Sequence, residues 1–351
     1  MQILENVILA PYTTFKIGGP AKFFCVVKDQ FEALTAYEFA KQKNLKTLVL
    51  GGGSNILVSD KGFDGLVVKI VNKGIEIVSE TQSRIQLRVA SGEVWDEVVS
   101  FAVKNNWWGL ENLSHIPGST GAIAVQNVGA YGKEASEIIE SVTVFNTESR
   151  NILNLSNREC NFTYRSSIFN STQKGKYIIF YINFNLEKNG QANLSYRDLK
   201  AKFGTKQPSI GEVRDAVIEI RDTKFPFPTT AVKGNAGSFF KNPILNKEEY
   251  DRLKETIAKN FADAKAEELE KKRFSEGSQV KVPAAFLMDI CQLKQLESGG
   301  AAINLNQPLV IINQSGQATA ADVLSLANKV KAEVQAKTGI ELKFEPELIG
   351  F

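Results

Sequence analysis

The sequence predicts an α+β chain on three observations. Short stretches with alternating apolar residues, such as Arg84–Ala90, indicate strands, and longer stretches with apolar residues at helical spacing, such as Gln30–Gln42, indicate helices. Three glycines at positions 51–53 join two apolar, strand-like stretches. No helix opens after these glycines, which argues against the glycine loops of doubly wound α/β folds.

The patterns place the elements as follows. Strands are predicted at residues 21–27, 45–50, 56–58, 65–70, 75–78, 84–90, 142–145, 177–186 and 309–313, and helices at 30–42, 94–105, 209–223, 246–274, 283–292 and 320–338. The strands between residues 65 and 90 are expected in one mixed sheet. Residues 246–274 are rich in Lys, Glu and Ala and are expected to be solvated and without chemistry.

Capping residues support two of these helices. Ser209 is positioned to cap the helix that residues 224–228 end, and Thr319 is positioned to cap the last helix, which Gly339 ends. In the first helix, Phe31 begins the apolar pattern. Its repeat every three or four residues predicts one face turned to the core.

Composition limits the class of protein. The chain has 351 residues, enough for two or three domains, and a formal net charge of +3 without a long basic run. No apolar run is long enough to cross a bilayer, and the first residues lack the pattern of a signal peptide. Cys25, Cys160 and Cys291 are odd in number and widely spaced, which favours unpaired thiols in a reducing compartment. We therefore expect a cytoplasmic protein with no nucleic-acid or membrane partner.

His115 is the only histidine, and this limits the chemistry. A Ser-His-Asp triad would have to use it, and a metal site with several histidines is excluded. No residues show metal-ligand spacing, so no metal is expected. The surrounding loop-like stretch has no partner pattern, which favours a packed or solvent-facing histidine over a catalytic one.

The first candidate site is the loop at residues 50–55. Its glycines allow several backbone N–H groups to turn toward one anion, and Ser54 and Asn55 add short polar side chains. A P-loop would need a Lys-Ser/Thr pair followed by a helix, and a dinucleotide loop would need a glycine where Ile56 stands. The loop therefore predicts a phosphate-sized nest of neither type, and a tight β-turn without a ligand is the alternative.

The second candidate site is residues 109–132, which contain Glu111 as their one carboxylate and no lysine or arginine. Small residues and uncharged hydrogen-bonding residues dominate, and the isoleucines and valines argue against a disordered linker. This composition favours backbone packed against a large, flat, partly polar ligand such as a flavin ring. A buried glycine-rich crossover without a ligand is the alternative.

Three shorter stretches carry further candidates. Tyr164 beside Arg165 suggests a phenol and a fixed cation at a cavity wall, although the pair alone favours a surface arginine. Tyr196 is expected at the tip of an exposed loop. Residues 234–243 form another glycine-rich stretch, in which Ser238 precedes two phenylalanines. A tight structural turn is the alternative there.

Together and in order, these motifs resemble those of UDP-N-acetylenolpyruvoylglucosamine reductases. The resemblance covers nearly the whole chain and rests on residues 14–21, 50–57, 116–132, 164–169, 234–243 and 345–347. The stretch at 164–169 and the loop at 195–199 resemble the longer type I branch, in which a tyrosine loop covers the nucleotide substrate.

The resemblance implies a two-subdomain FAD-binding module of the vanillyl-alcohol-oxidase (PCMH) type and a separate α+β substrate-binding domain. Residues 1–70, joined by 340–351, would form the first FAD subdomain, and residues 71–205 the second. Residues 206–339 would bind the UDP substrate. A monomer is expected.

The implied reaction is the reduction of UDP-N-acetylglucosamine enolpyruvate to UDP-N-acetylmuramate for peptidoglycan. NADPH reduces FAD, and hydride then passes to the enolpyruvyl methylene carbon. Negative charge develops on the adjacent carbon and its carboxylate. Arg165 would bind this carboxylate, and Glu347 beside it must be protonated or share a proton because two bare carboxylates repel. Ser238 would donate the proton to the carbon.

The resemblance also implies the binding residues. The cofactor contacts would be Leu50, Gly51, Gly52, Gly53, Ser54, Asn55, Ile116, Pro117, Gly118, Ser119, Gly121, Ala122, Asn127, Gly129, Ala130 and Tyr131. The substrate contacts would be Tyr164, Tyr196, Lys224, Asn242 and Gln307. Among these, Lys224 is the natural partner for the diphosphate.

The sequence departs from the family pattern at two places, and two other functions are the alternatives. After Glu347 the family usually reads Val-Arg-x-x-Gly, whereas this chain reads Leu-Ile-Gly-Phe, which leaves the packing of the last strand open. Lys294 and Gln295 stand where Lys-Gly is commoner. A different flavin oxidase acting on an alcohol or lactone, or a nucleotide-sensing module without catalysis, are the other functions.

Overall fold

The computed structural model describes residues 1–224 and 233–351. The expectation that residues 224–228 end a helix lies partly outside these residues. Within them, the strands are β1 Ile3–Ile8, β2 Pro20–Val27, β3 Lys46–Leu50, β4 Ile56–Val58, β5 Phe63–Ile70, β6 Ile75–Glu80, β7 Arg84–Ala90, β8 Gly129–Ala130, β9 Lys133–Glu134, β10 Ile139–Asn146, β11 Ile152–Ser156, β12 Tyr177–Glu187, β13 Asn235–Ser238, β14 Ile244–Leu245, β15 Phe274–Glu276, β16 Gln279–Lys281, β17 Glu297–Ser298, β18 Ala301–Ile303, β19 Val310–Asn313 and β20 Glu347–Ile349.

Most of the α-helices agree with the sequence patterns, but the predicted helical stretch at residues 246–274 forms two helices separated at residues 261–262, and its last residue belongs to a strand. The helices are α1 Gln30–Gln42, α2 Trp95–Lys104, α3 Thr120–Val125, α4 Arg197–Phe203, α5 Ile210–Lys224, α6 Lys247–Asn260, α7 Asp263–Lys272, α8 Ala284–Ile290 and α9 Ala320–Thr338. Of these, α3 and α4 were not anticipated, because both lie in stretches whose composition suggested loops. No helix in the described residues is both long and apolar enough to cross a membrane.

The chain divides into two compact units, each made of separate stretches. The first contains Met1–Ile8, Pro20–Gly53 and the described residues of Phe63–Phe227. The second contains Leu9–Gly19, Ser54–Gly62 and the described residues of Pro228–Phe351. The assignment of residues 1–70, 71–205 and 206–339 to particular ligands stays a prediction.

The first unit contains two larger sheets. One has the strand order β1-β2-β5-β3, in which β1 is antiparallel and the other pairs are parallel. Helix α1 covers it through Ala33, Ala36 and Ala40, whereas Phe31 is 74% exposed. The apolar pattern therefore predicted the helix correctly but misplaced part of its buried face, because small alanines allow the closest approach to the sheet.

The other sheet of the first unit is antiparallel, with the order β11-β10-β12-β7-β6. The expectation of one mixed sheet for residues 65–90 was therefore wrong, since β5 belongs to the first sheet and β6 and β7 to this one. Trp95 of α2 is fully buried against it, with its ring centroid 5.8 Å from that of Phe184. This packing places α2 and the start of the second glycine-rich stretch on one core.

Helices α4 and α5 also belong to the first unit. Leu199 of α4 is buried with Val213, Ala216 and Val217 of α5, and the ring of Tyr131 joins the same cluster. The stretch around Tyr196 is therefore more than an exposed loop, because its apolar residues anchor a helix. Ser209 caps α5 as predicted, and Glu212 makes the cap reciprocal by accepting from the backbone N–H of Ser209.

The second unit surrounds one large apolar core. Helices α6, α7, α8 and α9 pack there with the sheet β13-β19-β18-β17 and the small sheet β14-β16-β15. Helix α6 is solvated on one face only, since Tyr250, Leu253 and Ile257 are buried. Helix α9 has the predicted Thr319 cap and ends at Gly339 with a φ of 76°.

The last strand packs within the second unit despite its departure from the family pattern. Strand β20 pairs in parallel with β4, and Ile349 is buried. The backbone N–H of Ser59 donates to the carbonyl of Ile349 at 2.8 Å. Gly350 has a φ of 76°, and a Cβ there would collide with the carbonyl oxygen of Gly62. A glycine is thus required where the chain turns away from β4.

Candidate active-site residues

The two predicted cofactor loops meet in the first unit. A Cβ on Gly51 would lie 2.5 Å from the hydroxyl oxygen of Ser119, and one on Gly52 would lie 2.8 Å from the carbonyl carbon of Gly118. Both distances are far below a normal contact, so only glycine at positions 51 and 52 allows this loop to cross Gly118 and Ser119. We call this arrangement the glycine crossing. A Cβ on Gly121 would lie 2.5 Å from the Cβ of Ser91, so the backbone at Gly121 packs equally tightly against Ser91.

The crossing leaves polar groups available to a ligand. Within the described residues, the backbone N–H groups of Gly51 and Gly52 donate to no protein acceptor, and the Ser119 hydroxyl makes no hydrogen bond. Ile116 and Pro117 are partly exposed beside Gly118. Adjacent amides of this kind form an anion-binding nest.

A second set of predicted residues surrounds Arg165. Its guanidinium donates to the carbonyl oxygen of Gly129 at 2.8 Å and lies 5.2 Å from the centre of the Tyr164 ring. Arg165 has a φ of 52° and sits in a tight turn closed by the pairing of Thr163 with Ser166. These backbone and ring contacts hold the partly exposed side chain in place.

Asn127 is buried, and its side chain is occupied within the protein. Its amide nitrogen donates to Glu134 at 2.8 Å and to the carbonyl of Thr163 at 3.1 Å, and its oxygen accepts from the N–H of Ser136 at 2.9 Å. A cofactor contact at this position would have to use the backbone. The side chain instead fixes the strand pair β8-β9 beside the Arg165 turn.

Tyr131, Tyr196 and Lys224 come together as one cluster in the first unit. The two rings meet edge to face with centroids 5.1 Å apart. The Lys224 ammonium lies 5.6 Å from the centre of the Tyr131 ring and 6.0 Å from that of Tyr196, and it pairs with Asp198 at 2.7 Å. Two of the predicted substrate residues, Tyr196 and Lys224, are thus neighbours, beside a residue predicted for the cofactor.

Burial changes the acidity of this cluster. It raises the pKa of Tyr131 to about 12, and the nearby Arg221, which hydrogen-bonds the phenol, offsets only part of this change. Burial also raises the pKa of Tyr196, so both residues are neutral phenols at physiological pH. Asn112 fixes the backbone around them by donating to the carbonyls of Tyr131 at 2.8 Å and Asn193 at 2.9 Å.

A charged network that the sequence patterns did not reveal joins α2, α5 and the loop before Ile116. Arg214 binds both carboxylate oxygens of Asp96 at 2.8 Å. Asp96 also accepts from the backbone N–H of His115 at 2.5 Å, and Arg221 donates to the carbonyl of His115 at 2.8 Å. The His115 ring pairs with Asp222 at 2.9 Å. The single histidine is therefore a positioned loop residue.

Asp96 is ionised in this network. Burial raises the pKa of its carboxyl group, but the hydrogen bonds from Arg214 and from the His115 backbone outweigh that effect, so the pKa lies below its ordinary value of 3.8. Arg214 and Arg221 are seven residues apart and share one side of α5. That spacing is the sequence signal that could have pointed to the network.

Ser238 lies in the second unit, on a strand held by backbone contacts. A Cβ on Gly234 would lie 2.5 Å from the carbonyl carbon of Phe15, and the Thr14 hydroxyl donates to the carbonyl of Asn235 at 2.7 Å. Ser238 and the preceding Gly237 are partly exposed, whereas Phe239 is buried. The Ser238 hydroxyl makes no hydrogen bond to any residue that the structure describes.

Glu347 belongs to the same unit and lies on an adjacent segment. The N–H of Glu345 donates to the carbonyl of Phe239 at 2.9 Å, which places the late segment beside the strand of Ser238. The N–H of Glu347 donates to the carbonyl of Asn55 at 3.0 Å, and the Asn55 side chain donates to the carbonyl of Glu345 at 3.2 Å. Arg165, the third predicted catalytic residue, belongs to the other unit.

The remaining predicted substrate residues also lie in the second unit. The side-chain oxygen of Asn242 accepts from the N–H of Ala284 at 2.9 Å, so it caps α8. Gln307 lies in the turn before β19, with its backbone N–H 3.3 Å from the side chain of Asn304. In the described residues no group of three or more acidic, Cys or His side chains could hold a metal.

Known proteins resemble this chain over its whole length. A UDP-N-acetylenolpyruvoylglucosamine reductase of Flavobacterium johnsoniae is 38% identical over 99% of this chain and 100% of that protein. One of Neisseria gonorrhoeae is 38% identical over 96% of this chain and 95% of that protein. The chain belongs to the UDP-N-acetylenolpyruvoylglucosamine reductase family.

The family models and a solved structure agree with this membership. Residues 21–154 match an FAD binding domain, and residues 228–349 match the C-terminal domain of these reductases. The crystal structure of the reductase named MurB from Thermus caldophilus shares the fold, with a TM-score of 0.67, 23% identity and coverage of 99% of this chain and 98% of that chain. The predicted α+β fold with a PCMH-type FAD module is confirmed.

The glycine crossing fits the FAD of this family. It supplies backbone donors at Gly51 and Gly52 and a hydroxyl at Ser119, which suit phosphate oxygens. Ile116 and Ala122 add small apolar surface beside these donors. The chain is an FAD-dependent oxidoreductase by its family and its matched FAD binding domain.

We predict that Gly52→Ala will destabilise the first unit and lower its flavin content, because the added methyl collides with Gly118. Gly211→Ala is the matched control, since a Cβ there meets nothing within 4 Å and alanine favours the helix. Thermal unfolding and the flavin-to-protein absorbance ratio measure both effects. Equal melting temperatures and flavin content in the two variants would contradict a steric need for Gly52.

We predict that Asp96→Asn will lower the free energy of unfolding by about 3 kcal/mol, because Arg214 loses its carboxylate in a mostly buried site. The double variant with Arg214→Met should recover part of this loss. Since the pKa of Asp96 is lower in the folded protein, its contribution is present above 3.8 and disappears as the pH falls through the folded-state pKa.

Urea unfolding between pH 3 and pH 7 measures this contribution. Lys265→Met, which breaks the surface pair with Glu268, is the control and should cost much less. A loss in Asp96→Asn no larger than the control, or independent of pH, would be inconsistent with the network.

Proposed function

We propose that this chain reduces UDP-N-acetylglucosamine enolpyruvate to UDP-N-acetylmuramate with FAD as cofactor and NADPH as reductant. The observation that carries the proposal is the identity of 38% with a reductase of this name across 99% of the chain. The glycine crossing at Gly52 and Gly118 supports the FAD part independently of that identity. When bound, FAD supplies the hydride acceptor and donor that links the two substrates.

Backbone groups do most of the proposed cofactor binding. The N–H groups of Gly51 and Gly52 and the hydroxyl of Ser119 would hold the diphosphate. The segment from Ile116 to Gly118 would hold the ring system through backbone groups and small apolar contacts. The network around Asp96 keeps this segment in place because it binds both the N–H and, through Arg221, the carbonyl of His115.

Ser238 is the proposed proton donor. A serine hydroxyl is a weak acid, so proton transfer requires a basic carbon as acceptor and a site that excludes water. The carbon next to the reduced methylene develops such basicity. Phe239 and Phe240, which follow directly, are fully buried and leave Ser238 at the edge of an apolar core.

Arg165 and Glu347 are the proposed partners of the substrate carboxylate. The bond of Arg165 to the carbonyl of Gly129 orients the guanidinium before substrate arrives, so little reorganisation is needed as charge develops. Replacing Arg165 should raise the barrier by about 3 kcal/mol or more. Glu347 would hold a proton between the two carboxyl groups.

Lys224 and Tyr196 are the proposed nucleotide-binding residues, with Asn242 and Gln307. The Lys224 ammonium would bind the diphosphate, and its pair with Asp198 would orient it until then. Tyr196 and Tyr131 offer aromatic rings beside this cation, which suits a contact with an uncharged base or sugar.

The test is a visible spectrum of the purified protein. We expect a flavin spectrum that NADPH bleaches and that UDP-N-acetylglucosamine enolpyruvate then restores without oxygen. Restoration by oxygen alone, with consumption of an alcohol or lactone, would instead support a flavin oxidase. A colourless protein that binds nucleotides would support a sensing module.

We predict that Ser238→Ala will leave bleaching by NADPH nearly unchanged and slow restoration by the enolpyruvyl nucleotide by several orders of magnitude. The reason is that only the second half-reaction needs a proton at carbon. Stopped-flow absorbance measures both steps. Ser275→Ala, at an exposed position on β15, is the control. Normal restoration in Ser238→Ala would remove Ser238 from the mechanism.

A further inference from the structure

Lys69 is a charged residue among buried apolar neighbours near the end of β5. Its neighbours Val67, Val68 and Ile70 are buried in β5. Lys69 pairs in register with Leu50, the residue that begins the first cofactor loop. From there its ammonium reaches the carbonyl oxygen of Gly51 and donates a hydrogen bond to it.

This ammonium has no carboxylate partner. Among residues 1–224 and 233–351, no acidic side chain lies within ion-pair distance of Lys69, whereas nearby Lys73 pairs with Glu93 at 3.1 Å. Burial lowers the pKa of Lys69, and the charge of Lys73 lowers it further. A partly buried cation without a counter-charge is unfavourable, so the site is incomplete in electrostatic terms.

The contact also determines the direction of the neighbouring amide. The carbonyl of Gly51 and the N–H of Gly52 belong to one peptide group, and in a trans peptide they point to opposite sides. By binding the carbonyl, Lys69 turns the N–H of Gly52 away from β5. A cation on the carbonyl also polarises the peptide, which strengthens the N–H as a donor.

We infer that Lys69 is a positioning residue for the phosphate groups of FAD, acting through the Gly51–Gly52 peptide. It holds the Gly52 amide toward the diphosphate and supplies the positive charge that the anion complements from the other side of the loop. The inference rests on the proposed FAD site in this loop.

The experiment is a titration of the flavin-free protein with FAD, followed by flavin fluorescence at low and high salt. Lys69→Gln keeps a donor without the charge, Lys69→Met removes both, and Lys69→Arg keeps both. We expect the Kd for FAD to rise about tenfold in the first two variants and to stay near wild type in the third. Lys73→Gln is the matched control and should bind FAD as wild type does.

Two further measurements separate an effect of the Lys69 charge from a structural effect of the substitution. Added salt should weaken FAD binding more in wild type than in Lys69→Gln, because screening acts on the charge. Riboflavin, which has no phosphate, should bind wild type and Lys69→Gln equally. An unchanged Kd for FAD in Lys69→Gln, or an equal loss for riboflavin, would overturn the inference. A wild-type protein that does not bind FAD at all would overturn the proposed function with it.

Discussion

Several close backbone approaches among the described residues depend on the absence of a β-carbon. In the first unit Gly52 lies against Gly118, and in the second Gly234 lies against Phe15. At both places an added methyl would overlap backbone atoms, which cannot move without disturbing the strands that carry them. The predicted cofactor loop and the strand of Ser238 therefore take their shape from steric exclusion, and their exposed amides and hydroxyls follow from that shape.

Charged side chains hold two of the loops in place. Asp96 collects three hydrogen bonds from Arg214 and from the His115 backbone, which ties a loop without regular structure to two helices. Lys69 acts in the same way on the Gly51 peptide. In both cases a charged side chain binds backbone groups of a loop and fixes their direction.

Much of this fold was predictable from local pattern. The bounds of α1 and α9 and the cap at Thr319 follow from residues within a few positions of each other. The membership of β6 and β7 in a separate sheet does not, because pairing joins strands that are distant in sequence. Asp96 and Arg214 are 118 residues apart, so no window around either residue shows their bond. The glycine-rich stretches predicted close backbone contacts, but the sequence does not identify the partner segment of each contact.

The pairing of β4 with β20 has a consequence for biosynthesis. The side chain of Asn55 binds a residue 290 positions later, next to that strand pair. A ribosome therefore releases β4 long before its partner exists, and the second unit cannot complete its core until translation is nearly finished. Such long-range pairing slows folding, and the nascent chain must keep this strand soluble in the meantime.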